Sequence, residues 1–465
     1  MKRRDFITAL GGAAAWSLGA RAQEFSLRQF RVQPASTFQT MIGFGAGFNE
    51  ATAPLINAIE AAEDRSRAYD LLYGDNGARL NIVRLKISPN TQPTQKTDLA
   101  PQRYNWETDE HTRLTWAALQ PALKRRKSIL YAVPFTPPAQ WKANGKLNNG
   151  GALERKHYQD YAEYLVDFLQ YYRAKLGVQI DVLSLQNEPG IAAPWQSCVW
   201  AGTELRDFLK IIAPLARAQG LNTQFMLSEG TAWSGAWAHL VPTLQDPDAR
   251  QYLHIMASHS YGAPDDRARR QFAAASGRNG LPVWMSEMSL MIQPQLDDPS
   301  MVAAIRVAQF MHRDLVEAHA SAWIYCFMIF TAKFKGSMGV LSPPDIEGPL
   351  YGKLRAPKRL WAMANFSRFV LPGWKLMQID GSGIENTGFV DSKGTEFVIV
   401  AINPNANQLS ARYNFERDRV GAVRAFATTP TLDLGEVSLR EMDSHGFVAA
   451  LPPMSVVTFQ GALGY

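Results

Sequence analysis

Cysteine is almost missing: Cys198 and Cys326 are the two in 465 residues. No disulfide framework can therefore hold this chain together, and its stability has to come from apolar burial. Each thiol lies in an apolar or aromatic stretch where it packs as a small hydrophobe, and a bridge between the two stays open at this stage. Long apolar runs are missing as well. No stretch reaches the ~18 residues of a membrane helix, so no membrane span is expected. One-sided charge is scarce: the formal net charge is +6, half of it contributed by Lys2, Arg3, Arg4 and Arg21 against Asp5 at the N-terminus. That balance is too weak to imply a nucleic-acid partner. The basic run Lys124-Arg125-Arg126-Lys127 stands where a helix ends, and cations suit that pole of the helix dipole. The eight histidines form neither a His-x-His strand pair nor a His-Glu-x-x-His helix, which removes the usual metallohydrolase patterns. Gly43-Phe44-Gly45-Ala46-Gly47 starts like a dinucleotide loop, but Phe48 occupies the third glycine position. Neither a metal nor another cofactor is expected.

What is present is an ordinary globular composition, 46% hydrophobic and 11% aromatic, which disfavours disorder. Residues 1–22 read as a leader. Arg3-Arg4 precede a small-residue apolar stretch from Ile7 to Leu18, and Ala20-Arg21-Ala22 forms a small-x-small cleavage site. This predicts a twin-arginine export signal and a periplasmic or extracellular protein.

Between Met41 and Phe369, eight short apolar runs alternate with stretches of helical period. The candidate strands are 41–44, 81–86, 128–133, 180–186, 224–227, 254–258, 283–286 and 322–327. Candidate helices are 54–72, 112–126, 154–175, 203–219 and 301–320. In the third of these Tyr158, Tyr161, Leu165, Phe168, Leu169 and Tyr172 recur at steps that keep to one face. Eightfold alternation predicts an α/β fold, a (β/α)8 TIM barrel, with functional groups at the strand C-termini. After Pro372 the helical period disappears. Candidate strands 384–390, 396–402, 409–413, 420–428 and 455–460, separated by Gly, Asn, Asp and Pro, predict a β-sandwich. The expected division is residues 1–22 leader, 23–40 strand joining the β-domain, 41–370 catalytic barrel and 371–465 side sandwich.

Two barrel strands end in a carboxylate within an apolar setting. The fourth closes as Leu185-Gln186-Asn187-Glu188-Pro189, with Pro189 stopping its continuation, and the seventh as Trp284-Met285-Ser286-Glu287. Retaining cleavage of a glycosidic bond needs two carboxyl groups ~5–5.5 Å apart, one protonating the leaving oxygen and one attacking the anomeric carbon. The acid of such a pair must keep its proton near neutral pH, through apolar surroundings or a neighbouring carboxylate. Glu188 takes the acid/base part and Glu287 the nucleophile, with Asn187 placed to bond the sugar hydroxyl next to the anomeric centre. Structural readings compete with each assignment. Asn187 could be a helix cap and Glu287 an ion-pair partner of Arg84; Glu229, closing the fifth strand, and Glu50, after the first, are rival carboxylates.

These residues resemble glycoside hydrolase family 30, and the likeness spans nearly the whole chain after the leader. It rests on Ile42-Gly43-Phe44-Gly45-Ala46-Gly47-Phe48, Val83-Arg84-Leu85, Thr136-Pro137-Pro138, Lys142-Ala143-Asn144-Gly145, the two glutamate motifs, Asn365-Phe366-Ser367-Arg368-Phe369-Val370 and Leu451-Pro452-Pro453. The resemblance implies a retaining double displacement on a polysaccharide, most like an endo-β-1,4-xylanase, with β-1,6-glucanase or β-1,6-galactanase as alternatives. It also implies that Arg84 orients the nucleophile, and that His259 and Tyr261 contact substrate or Glu287. Trp141, Trp195 and Trp233 are candidate sugar platforms, since polysaccharide grooves stack flat apolar rings on sugar faces. The chain departs from the family pattern in carrying Cys326 where many relatives have a tryptophan. Lys333 and Lys335 stand where the glucuronoxylan-specific subgroup has an arginine. A non-catalytic carbohydrate-binding protein on the same barrel is the rival from another class, and the presence of both glutamates argues against it.

Overall fold

The computed structural model describes residues 27–94, 102–290, 298–330, 338–344, 351–416 and 418–464. The expected leader, with Lys333 and Lys335, lies outside the described residues. Strand β1 (Arg28–Thr40) comes first. Eight parallel strands then close a barrel: β2 (Gly43–Phe48), β3 (Ile82–Ile87), β4 (Ile129–Pro134), β5 (Val182–Ser184), β6 (Gln224–Gly230), β7 (Leu253–His259), β8 (Val283–Met288) and β9 (Ala320–Tyr325). The apolar runs suit these positions because a barrel strand is covered on both faces. Ile82, Val133, Val182, Met226, Ile255, Trp284 and Ile324 fill the interior below the mouth.

The strand bounds differ from the sequence reading by a few residues. β2 starts later than Met41 and runs on to Phe48, because its glycines permit close approach to both neighbours. A Cβ at Gly47 would run into the Cys326 carbonyl oxygen, and Gly43 has φ +146° with the Asn81 side chain where a Cβ would stand. The helix expected over 54–72 is two helices, Thr52–Asn57 and Ala62–Tyr73. At the break the Glu60 N–H bonds the Gly352 carbonyl, and Arg65 Nη1 donates to the carbonyls of Ile59 and Glu60.

β10 (Lys375–Asp380), β11 (Glu385–Val390), β12 (Glu396–Asn403), β13 (Leu409–Phe415), β14 (Arg419–Thr428), β15 (Gly435–Val437), β16 (Glu441–Asp443), β17 (Gly446–Leu451) and β18 (Ser455–Gly464) join β1 in one ten-stranded sheet. Its order is β15-β14-β18-β12-β11-β10-β1-β13-β17-β16. β1 runs antiparallel to β10 and parallel to β13. The sheet folds over on itself as a sandwich. Phe397 on β12 lies 4.7 Å from Phe415 on β13, and Phe459 on β18 lies 5.1 Å from Phe447 on β17, although several strands separate each pair in bonding order. The opposite face, with Phe389, Val398, Val400 and Val456, packs into the barrel's own core cluster. Helix Lys358–Ser367 joins the two units: Asn365 donates through Nδ2 to Thr428 Oγ1 at 2.6 Å, and Thr458 Oγ1 donates to the Asn365 carbonyl at 2.7 Å. Strands β10, β15, β16 and β17 were not anticipated. Cys198 and Cys326 are free, buried thiols, which closes the question of a bridge.

Candidate active site

The mouth of the barrel is assembled by strand alternation together with two interruptions of it. Along β3, Ile82 faces the interior, so two residues on Arg84 does too; along β7, Ile255 and Ala257 lead to His259 in the same way. Continued alternation on β8 from Trp284 would bring Ser286 inward rather than Glu287. Instead a register irregularity between Met285 and Met288 turns Glu287 to the mouth. A second one, between Leu227 and Gly230 on β6, does the same for Glu229. Glu188 follows β5 with a left-handed φ of +47°, and its N–H bonds the Glu229 carbonyl at 3.0 Å.

These side chains form one buried charged cluster. Arg84 Nη1 meets Glu287 Oε2 at 2.7 Å, Arg84 Nη2 donates to Asn187 Oδ1 at 2.6 Å, and Arg84 Nε donates to the Tyr131 hydroxyl at 3.2 Å. Tyr261 donates its hydroxyl proton to Glu287 Oε1 at 2.9 Å. His259 Nδ1 lies 3.2 Å from Glu188 Oε1 and 3.9 Å from Glu287 Oε1, while its Nε2 lies 3.5 Å from Glu229 Oε1. One oxygen each of Glu188 and Glu287 and a ring nitrogen of His259 all lie within 4.8 Å of one another.

Charge balance sets the protonation states. Burial opposes a positive ring at His259, but Glu287, Glu188 and Glu229 outweigh it and raise its pKa to about 9. Burial likewise pushes the Glu229 carboxyl up, and Arg84 and His259 overcome that and hold it at about 2. Glu188, His259 and Glu287 have the donor types of a metal trio. A cation would have to displace the proton that the raised pKa of His259 keeps on its ring. The raised pKa of His259 makes stability depend on pH. A pKa raised from 6.5 to about 9 stabilises the fold fully below pH 6.5, and that contribution is lost as pH rises through 9. It amounts to roughly 3 kcal/mol. Denaturant titrations between about pH 6 and 10 should show this loss in the wild type and a flatter curve in His259→Asn; parallel curves would contradict it.

The remaining candidates divide. Trp195 is 51% exposed on a braced loop, where Ser197 Oγ accepts the N–H groups of Gly150 and Ala193 and Lys142 Nζ donates to the Ser197 carbonyl. Trp141 is half-buried, with its ring stacked on His157 at 6.1 Å and edge-on to Tyr164. Trp233 corrects the sequence reading. It is 2% exposed, its indole N–H reaches Ser260 Oγ and Asp314 Oδ1, each at 3.2 Å, and it belongs to the core. Glu50 is paired with Lys86 Nζ at 3.0 Å and His111 Nδ1 at 3.2 Å. Sequence reasoning missed Tyr131, whose hydroxyl bridges Arg84 and Glu229. A lone tyrosine hydroxyl in an otherwise apolar strand was the available signal.

Comparison with known proteins gives the same family and barrel fold. The model of the glycosyl hydrolase family 30 TIM-barrel domain matches residues 41–279. Glucuronoxylanase XynC of Bacillus subtilis is 26% identical over 437 residues, covering 92% of this chain and 90% of its own. Among solved structures, the catalytic domain of GH30 xylanase C from Talaromyces cellulolyticus superposes with a TM-score of 0.78 at 24% identity, covering 94% of this chain and 100% of that one. The endo-β1,6-glucanase BT3312 does so with a TM-score of 0.72 at 19% identity, covering 95% and 94%. With a family-model match over more than half its length, the chain belongs to glycoside hydrolase family 30.

Proposed function

We propose that the protein hydrolyses a β-linked polysaccharide with retention, Glu287 attacking the anomeric carbon and Glu188 serving first as acid and then as base. One observation carries this reading: the nearest carboxyl oxygens of Glu188 and Glu287 approach within 4.8 Å. A separation near ~5–5.5 Å lets the second carboxylate attack the sugar directly, whereas inversion needs ~6.5–9.5 Å to admit a water. Arg84 and Tyr261 fix both oxygens of Glu287, so the nucleophile is held in one orientation before substrate arrives. Arg84 occupies the Asn187 oxygen, leaving the amide N–H groups of Asn187 to bond the neighbouring sugar hydroxyl.

For the substrate we favour xylan and endo action. The glucuronoxylanase aligns over nearly the whole of both chains, and the solved structure with the 0.78 TM-score is a xylanase. Exposed Trp195 on its braced loop supplies a ring for a sugar beyond the cleaved bond. The β-1,6-glucanase likeness supports a second reading, a β-1,6-linked glucan or galactan. One experiment separates these. Purified protein is incubated with xylan, β-1,6-glucan and β-1,6-galactan, with products sized and the first-formed anomer read by proton NMR. Xylan should yield mixed oligosaccharides that appear initially as the β-anomer. An initial α-anomer refutes retention, release of single sugars refutes endo action, and binding without cleavage of any of the three favours a non-catalytic protein.

A further inference from the structure

Glu229 is absent from the reaction as drawn, yet it is the most enclosed carboxylate of the site, with 0% exposure. Every element around it turns a polar group toward it. Tyr131 on β4 donates its hydroxyl proton to Glu229 Oε1, and Arg84 Nη2 on β3 lies 3.6 Å from the same oxygen. His259 Nε2 on β7 lies at 3.5 Å, and the Ser184 hydroxyl adjoins from β5. The Glu229 carbonyl receives the Glu188 N–H, and Glu229 itself keeps a left-handed φ of +44°. A bulky residue in that conformation is strained, and such strain persists where the surroundings over-determine it.

Counting charge across the cluster shows what this arrangement does. Arg84 is a cation and the raised pKa of His259 favours its cationic form, while Glu188, Glu229 and Glu287 are carboxyl groups. Two positive charges balance two carboxylates and leave the third group over. Burial penalises net charge in such a place. Tyr261 and Cys326, the other titratable groups against Glu287, are both pushed upward, by burial first, with the Glu287 charge adding to it, and so stay neutral.

We propose that Glu229 is a positioning residue that acts as the site's permanent counter-charge: by occupying one of the two cations, it obliges the Glu188–Glu287 pair to hold a single proton between them. Arg84 and Tyr261 favour the charged form of Glu287, which puts that proton on Glu188, where the acid step uses it. The geometry thus couples a residue that touches no sugar to the protonation state of the one that does. This rests on the catalytic assignment proposed above.

The test compares wild type and Glu229→Gln as full chains. The readout is the pH dependence of kcat/KM on the polysaccharide that wild type cleaves and on a dinitrophenyl β-glycoside, whose leaving group departs without a proton. With one negative charge removed, the alkaline limb on the polysaccharide should move down by at least one pH unit. That is about a tenfold loss at the wild-type alkaline shoulder. The limb on the dinitrophenyl substrate should stay in place. A uniform loss on both substrates at every pH, or an unmoved limb, overturns the proposal. If Glu188→Gln leaves both activities intact, the catalytic assignment itself has failed, a result distinct from either of those. Should Glu229→Gln not fold, 15N spectra of the His259 ring in wild type decide: a doubly protonated ring at about pH 8 is required, and a neutral ring overturns the counter-charge account.

Discussion

Glu287→Gly is expected to lose turnover on the order of 10⁵-fold and to regain part of it with azide, which should yield an α-glycosyl azide. The loss has the size seen when the nucleophile of a covalent mechanism is removed. The anomer follows from geometry, because azide enters the space the carboxylate leaves and attacks from the same face. Glu188→Ala should behave differently. General acid catalysis is worth about 10²- to 10⁴-fold, so polysaccharide hydrolysis should fall by that amount while a dinitrophenyl glycoside still forms the glycosyl-enzyme. Azide should then intercept that intermediate from the opposite face and give the β-azide. Swapped anomers would reverse the two assignments. Identical products from both variants would remove the double displacement altogether. Since one carboxyl oxygen of each residue lies within 4.8 Å of the other and both adjoin His259, position alone does not rank the two. Their partners do: Glu287 meets the Arg84 guanidinium at 2.7 Å and accepts the Tyr261 hydroxyl proton, with His259 at 3.9 Å, whereas His259 at 3.2 Å is the cation beside Glu188, so the negative charge is better supported on Glu287.

The barrel was legible because its signal is redundant: eight apolar runs with helices between them survive boundary errors of several residues. The short strand β5, Val182–Ser184, lies inside an expected run of 180–186 and the topology is unaffected. The carboxylates were legible as strand ends, since a glutamate closing a buried strand has few structural uses. The cause of their convergence was not. It depends on the irregularities in β6 and β8, and residue type does not report a shift of register. The role of Glu229 was hidden for a related reason. As one acid among several at strand ends, it differs from Glu188 by its neighbours Arg84 and Tyr131, which come from two other strands. Trp233 illustrates the opposite error. A tryptophan after a barrel strand looks like a sugar platform, but Asp314 and Ser260 take its N–H beneath the helix it begins. Asp314 in turn is ion-paired with Arg269 at 2.9 Å, a buried pairing whose members are far apart in sequence. In the side domain, β15 and β16 are three residues each, too short for alternation to register.

Arg84→Met is expected to destabilise the protein by about 3–5 kcal/mol near neutral pH and to abolish hydrolysis. Arg84 is 1% exposed and meets Glu287, Glu229, Asn187 and Tyr131 at once. Methionine matches much of its volume but leaves two buried carboxylates facing one imidazolium. The loss should depend on pH with a definite sign. In wild type the Glu229 carboxyl is held at about 2, below its ordinary 4.5. The stability this supplies is present above pH 4.5 and fades as pH falls toward 2. Without the guanidinium the carboxyl can take up a proton, so the gap between variant and wild type should be widest above pH 5 and narrow below about 4.5. Arg84→Lys separates charge from shape. An ammonium restores one positive charge, but as a point charge it cannot hold Glu287 and Asn187 together in the geometry of the guanidinium fork. It should recover part of the stability and little of kcat. Denaturant midpoints at about pH 4 and pH 7, with kcat on the preferred polysaccharide, measure all of this. A methionine variant as stable as wild type at pH 7 would show that the buried cluster is not held by its guanidinium, and a lysine variant with full kcat would show that charge alone orients the nucleophile.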